Sequence, residues 1–217
     1  HGTAIVVLAG LTNAAKVVKK DFKKLRVVVS GAGAAGTAVA KLLLAAGIRD
    51  IVVLDRSGAI YAGRPELNPQ KAELAGLTNP RKVEGDLAAA IQGADVFVGV
   101  SGAGILKSEH VSSMAPKAIV FALANPTPEI LPAIALKAGA AVVATGRSDF
   151  PNQINNALVF PGVFRGALDK GISKITEKTK LSAAYALAAL IKKPTPTSIV
   201  PDLLDPRVVK AVARAVQ

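Results

Sequence analysis

Cysteine is absent from the chain. Disulfides, thiolate metal sites and cysteine nucleophiles are thereby excluded, and a reducing cytoplasm is the natural compartment. Tryptophan is missing as well, and the aromatics amount to two tyrosines and six phenylalanines, which leaves little for nucleic-acid bases to stack on. Only two histidines occur, His1 and His110, and no histidine–carboxylate cluster has metal-site spacing. The apolar segment Ala4–Val18 is too short to span a membrane, contains Gly10, Thr12 and Asn13, and has no lysine or arginine before it to make a signal peptide. A soluble protein with no membrane partner is the expectation.

What is present is apolar and basic. Hydrophobic residues make up 51% of the 217, enough for a sizeable core. The formal charge of +12 raises a nucleic-acid reading, since lysine and arginine neutralise phosphates. The charges are spread out, however, with only small groups at Lys19, Lys20, Lys23, Lys24 and Arg26 and at Lys192 and Lys193. A basic surface that attracts anionic metabolites, or one that faces a more acidic part of the protein, accounts for them better than a nucleic-acid-binding module.

The most informative stretch is Leu25 to Gly36, LRVVVSGAGAAG, an apolar run that breaks into glycines spaced G-x-G-x-x-G. Asp55 follows nineteen positions after the last glycine and closes a second apolar run, IVVLD. Together they form a dinucleotide-binding signal. Gly31 permits the tight turn, Gly33 lets backbone N–H groups approach a pyrophosphate, and Gly36 lets the following helix pack close to the sheet. The phosphates then sit on the positive end of that helix. Asp55 is positioned to accept from the adenosine ribose hydroxyls, which favours NAD, whereas Arg56 beside it favours a 2'-phosphate and hence NADP.

The rest of the pattern alternates strand and helix. Strands are expected at Arg26–Val29, Ile51–Leu54, Val96–Val100, Ala118–Ala124 and Ala141–Thr145, and a further one around Ala157–Phe160. Helices are expected at Gly2–Lys19, Ala34–Ala46, from near Pro69, at Asp86–Gln92 and Lys107–Met114, and after Asn125-Pro126-Thr127-Pro128 as far as Ala138. Two closing helices span Glu177–Ile191 and Asp205–Val216, and Arg56–Asn68 reads as loop. Alternation with short connections implies an α/β fold, a Rossmann-type doubly wound parallel sheet with additional N- and C-terminal helices.

Ligands of such a sheet bind beyond the carboxyl ends of its strands. That places the glycines, Asp55 and Arg56, Ser101 with Gly102 and Gly104, Asn125, and Arg147 with Ser148 and Asp149 around one crevice. Asn125, followed by Pro-Thr-Pro-Glu, reads equally as a helix N-cap or as a ligand contact. Asn155 and Asn156 are poor interior helix residues and read either as caps or as uncharged substrate-orienting amides. Gly99-Val100-Ser101-Gly102-Ala103 approaches a serine-hydrolase nucleophile elbow but lacks its second glycine, and neither histidine is a credible partner. Tyr61 in the polar loop and Tyr185, on a stripe with Leu181 and Ala188, read as packing residues.

Laid end to end, HGTA, VVVSGAGAAGTAVAKLL, DRSGAIYAGR, GADVFVGVSGAG, IVFALANPTPEI, VVATGRSDFPNQINNALVFPGVFRGALD and DPRVVKAVARAV resemble the C-terminal, NAD-binding part of prokaryotic malic enzymes, in the family's order and over essentially the whole chain. The resemblance implies one NAD(P)-binding domain over residues 1–217, with flanking helices at 2–19 and 176–217. It implies Gly31, Ala32, Gly33, Ala34, Ala35, Gly36, Asp55, Arg56, Ser101 and Asn125 as NAD or NADP contacts, with Ser101 on the nicotinamide side. Asn125 and Asn156 become malate or pyruvate contacts.

The implied reaction is oxidative decarboxylation of (S)-malate to pyruvate and CO2: hydride transfer from C2 to NAD(P)+, CO2 loss from oxaloacetate held on Mg2+ or Mn2+, and protonation of the enolate. The family's catalytic tyrosine and lysine, a substrate-binding arginine and the metal carboxylates lie N-terminal to the HGTA motif. No catalytic or metal residue is therefore expected in this chain, which alone is expected to bind dinucleotide without turning over malate. Its expected partners are the family's N-terminal domain and, as a homodimer or higher homo-oligomer, its own copies. The alternative within enzymes is the nucleotide domain of another small-acid or amino-acid dehydrogenase.

Overall fold

Runs of valine and isoleucine become strands when both faces of a sheet are covered, because every side chain then leaves water. In the computed structural model, which describes residues 1–217, five such runs do so, β1 (Arg26–Ser30), β2 (Asp50–Asp55), β4 (Val96–Gly99), β5 (Ala118–Ala122) and β6 (Ala140–Thr145), and the dipeptide Gly58–Ala59 adds a short strand, β3, beside β2. Their spatial order is β3-β2-β1-β4-β5-β6, parallel except for the antiparallel two-residue edge β3. Helices α2 (Ala34–Ala45), α3 (Pro69–Leu77), α4 (Leu87–Ile91), α5 (Ser108–Ser112) and α6 (Pro132–Lys137) connect them, α1 (Gly2–Val18) precedes them, and α7 (Phe160–Asp169), α8 (Glu177–Ala189) and α9 (Arg207–Ala215) follow. This is the expected Rossmann-type α/β fold. No helix is long and apolar enough to cross a membrane.

Alternate residues of each strand feed two cores. Val27, Val29, Ile51, Val53, Val96, Val98, Ile119 and Phe121 belong to a cluster of 44 buried residues on one face, whereas Val28, Val52, Phe97 and Val120 belong to a cluster of 18 on the other. The sheet is therefore lopsided, and the heavy side holds α1, α2 and parts of α7, α8 and α9. Helix α1 has almost no solvent face: Ile5 through Leu11 are buried without interruption, and it packs on both α2 and α8. Its one buried polar side chain, Asn13, donates to the carbonyls of Ala188 and Ile199 at 2.9 Å each and so ties α1 to the closing segment.

Four local expectations are corrected. Ala157–Phe160 is not a strand but a 3-10 turn at Asn156–Leu158 running into α7, where Pro161 suits a helix start and Leu158, Val159 and Val163 are buried at helical spacing. The helix expected to follow Asn125-Pro126-Thr127-Pro128 begins only at Pro132, because Pro126, Pro128 and Pro132 push the residues before them out of helical geometry; its N-cap is Leu131 and not Asn125. The Arg56–Asn68 loop contains β3, paired with Leu54 and Asp55. Tyr185 is 43% exposed, since the inward stripe of α8 is Ala183, Ala184, Leu187 and Ala188.

Because Asn13 satisfies two buried carbonyls, Asn13→Ala is expected to lower the unfolding free energy by about 2 kcal/mol. Equilibrium urea denaturation checks this; an unchanged midpoint would refute the tie.

Candidate functional site

The chain winds outward from β1 to β2 and β3, then returns to β4 on the other side of β1, so the carboxyl ends of β1 and β4 flank the switch point. Gly31, at φ 116°, turns the chain out of β1, and its N–H donates to Leu54 O at 2.9 Å. A side chain at Gly36 would overlap the Gly31 carbonyl oxygen, so α2 can seat on this turn only with glycine there. The N-cap of α2 is Gly33; no side chain caps the helix and its first turn holds no acidic residue. The leading N–H groups and the positive helix end are therefore left to a ligand.

Gly31, Ala32 and Gly33, with Asp55, Arg56 and Ser101, line a crevice of about 970 Å3. An inner lobe of about 360 Å3 adjoins it, sharing Val100, Ser101 and Gly102 and lined also by Thr3, Ala35 and Asn125. Ala34 and Gly36 line neither lobe: Ala34 is exposed, and Gly36 is buried against the Gly31 carbonyl. The larger lobe leads into a smaller one where Thr3, Ser101, Asn125 and Thr127 stand among apolar residues such as Val100 and Leu123.

Asp55 is already occupied. Arg64 Nη2 reaches both its oxygens at 2.9 Å, Lys71 Nζ lies 2.6 Å from Oδ2, and the Ser57 N–H donates to Oδ1 at 2.9 Å. These four contacts use about all the acceptor capacity of a carboxylate. Burial by itself would raise the Asp55 pKa, but the hydrogen bonds from Lys71, Arg64 and Ser57, with the Arg64 charge, outweigh it and hold the carboxyl below the usual aspartate value. Arg56 is exposed on the rim and forms no ion pair. The repulsion that an unpaired Asp55 would exert on a 2'-phosphate is thus largely offset by neighbouring cations.

Ser101 meets Ser30, the two hydroxyl oxygens lying 3.2 Å apart. No base is near: His110 Nδ1 accepts the Lys107 N–H at 3.2 Å and serves its own short helix, so a serine-hydrolase site is excluded. Beneath Ser101 lies Glu129, fully buried, accepting the Ser101 N–H on Oε1 at 3.1 Å and the Ala124 N–H on Oε2 at 3.0 Å. Burial pushes its carboxyl above the usual glutamate value, and the N–H groups of Ala124 and Ser101 pull against that rise.

Asn125 is exposed at the inner lobe, where its amide lies over Gly146; a Cβ at 146 would come within 2.8 Å of Nδ2. Arg147 braces the same loop by donating to Pro126 O at 2.8 Å while paired with Asp149. Of the two adjacent asparagines, Asn155 caps the 3-10 turn by accepting the Ala157 N–H at 2.9 Å. Asn156 is exposed and packs its Cβ toward Gly2, one residue before the lobe-lining Thr3, without itself lining the lobe. The loop carrying both is pinned by buried Asn152, which donates to Val143 O and Pro196 O and accepts the Ile199 N–H.

Sequence reasoning missed Thr3, Arg64, Lys71, Glu129 and Asn152, which are brought to the site by the fold. No group of three or more His, Asp or Glu side chains lies together as a metal cage would require.

The sequence profile of the family described as "Malic enzyme, NAD binding domain" matches residues 1–217. A bifunctional malic/malolactic enzyme of Bacillus subtilis (strain 168) is 52% identical over 219 residues, covering 100% of this chain and 53% of the relative. An NAD-dependent malic enzyme of Geobacillus stearothermophilus is 52% identical, covering 100% of this chain and 45% of the relative. An NADP-dependent malic enzyme of Halomonas elongata is 45% identical over all of this chain and 55% of its own length. The chain thus spans about half the length of the curated relatives it matches. Among solved structures, that of an NAD-dependent malic enzyme from Thermotoga maritima superposes with a TM-score of 0.96 at 47% identity, over 99% of this chain and 57% of that one.

Two outcomes are expected. Gly36→Ala forces α2 off the turn and should cost about 1–3 kcal/mol of stability, read by thermal unfolding. Asp55 has a lowered folded pKa, so its ion pairs stabilise above the unfolded value and are lost as pH falls through the folded one. The stability gap between the unsubstituted chain and Asp55→Asn should therefore be flat at neutral pH and close only below about pH 4, in urea titrations at each pH.

Proposed function

The chain belongs to the malic enzyme NAD-binding domain family, and from that premise we propose that it is the dinucleotide-holding part of an enzyme that oxidatively decarboxylates (S)-malate to pyruvate and CO2 with reduction of NAD(P)+. The observation that carries the reading is the two-lobed crevice across the ends of β1, β2 and β4, opened by the uncapped N-terminus of α2. When bound, NAD(P)+ supplies the hydride acceptor.

In this reading the backbone from Gly31 to Gly36, through Ala32, Ala34 and Ala35, cradles the pyrophosphate, because the glycine turn exposes N–H groups and the helix end is positive. Asp55 and Arg56 hold the adenosine ribose. A hydroxyl there either shares Asp55 with its cations or displaces one, and a 2'-phosphate would be met by Arg56, Lys71 and Arg64. Ser101 lies on the nicotinamide side, where the two lobes join. Asn125 and Asn156 orient malate or pyruvate, since a neutral amide can donate to a carboxylate and accept from a hydroxyl without adding charge.

Residues 1–217 then form one domain. The tyrosine–lysine proton exchange and the Mg2+ or Mn2+ carboxylates belong to residues outside them. Lys71, the one lysine lining the crevice, is engaged by Asp55, and no chemistry assigned to this chain runs through a metal. The chain alone binds dinucleotide but does not turn malate over. An N-terminal domain, further copies of the chain and a cytoplasmic setting complete the reading.

Titrating NADH into the chain, followed by calorimetry and cofactor fluorescence, should show saturable binding; none at millimolar cofactor would refute the first half. In the complete enzyme, Asn156→Ala should reduce kcat/KM for malate by about ten-fold or more while NAD affinity stays within about two-fold, the signature of a contact made to substrate and not to cofactor. Equal loss of both would count against the assignment.

A further inference from the structure

Glu129 is the buried carboxylate that the cofactor and substrate assignments leave unused. It is fully buried and ion-paired to nothing, a costly state for a charge. Its two oxygens face different loops: Oε1 takes the N–H of Ser101, at the join of the two lobes, and Oε2 takes the N–H of Ala124, next to Asn125. The backbone repeats the link, since Pro128 O accepts the Gly104 N–H and Glu129 O accepts the Leu106 N–H, each at 3.1 Å. The slot is built for the carboxylate. A side chain on Gly99, the last residue of β4, would overlap the Glu129 carboxyl carbon, and that volume is left empty for it.

We propose that Glu129 is a positioning residue that sets the distance between Ser101 and Asn125 across the inner lobe, and with it the distance from nicotinamide to malate. Two converging N–H donors need two acceptors, which a carboxylate has and an amide lacks. Fixing two loops that come off neighbouring strands matters for hydride transfer, where a misplacement of about 1 Å can cost on the order of a hundred-fold in rate. The proposal rests on the functional reading above, and it adds that this buried charge acts by geometry without touching either ligand.

Glu129→Gln keeps the shape but turns an NH2 toward one of the two N–H groups. In the complete enzyme it should lower kcat/KM for malate at least ten-fold and raise the primary isotope effect measured with C2-deuterated malate. The Kd for NADH should stay within about three-fold, because the phosphate and adenosine contacts are untouched. A purely structural role would lower the melting temperature and the active fraction and leave the isotope effect and KM unchanged; that result would overturn the proposal. Glu129→Asp, which keeps the charge and shortens the reach by one methylene, carries the same kinetic expectation should Glu129→Gln fail to fold. In the unsubstituted chain, amide hydrogen exchange should find the Ser101 and Ala124 N–H groups protected, and rapid exchange at either would overturn the proposal without any variant. Failure of the unsubstituted complete enzyme to oxidise malate would instead overturn the functional reading, and the amide exchange result would stand apart from it.

Discussion

The contact between Gly36 and the carbonyl of Gly31 is the constraint on which the rest of the crevice depends. With no Cβ at 36, the first turn of α2 lies directly on the turn that leaves β1, so the helix axis is fixed relative to the sheet edge. From that follow the place of the uncapped N–H groups, the width of the groove between Gly31 and Asp55, and the depth at which Ala35 reaches the inner lobe. A helix held further out would leave the same residues in the same order with nothing to enclose.

The sheet and most helices were legible because their signals are local. Apolar runs of valine and isoleucine bounded by glycines and prolines need no distant partner to be recognised, and the glycine spacing carries its own geometric reason. The errors fall where distant packing outweighs local pattern. Ala157–Phe160 is apolar enough for a strand, yet Pro161 and the buried Leu158 and Val159 make it a helix entry. Tyr185 sits on a plausible stripe, but α1 covers a neighbouring face of α8 and leaves it outside.

The site was legible in outline and hidden in its supports. Asp55 was readable from its spacing to the glycines, whereas Arg64 and Lys71, nine and sixteen residues further on, gave no signal that they would close on it. Glu129 follows two prolines in a loop, where a carboxylate ordinarily faces water; only the bare Gly99 and two inward N–H groups reveal the slot. Asn152 and Asn155 were indistinguishable in the sequence from their neighbour Asn156, and each is spoken for by the backbone it bonds.

The Asp55 cluster also bears on how such a domain diversifies. Arg64 and Lys71 close on the carboxylate from a loop and the start of α3, Arg56 stands exposed beside them at the strand end, and none of the three carries a β1, β4 or β5 hydrogen bond. The charge balance at the rim can therefore be reset by exchanging Arg56 and Lys71 with the parallel core unmoved, whereas Arg64, largely buried and donating to the carbonyls of Gly58 and Ala59, holds the edge strand β3 as well as the carboxylate.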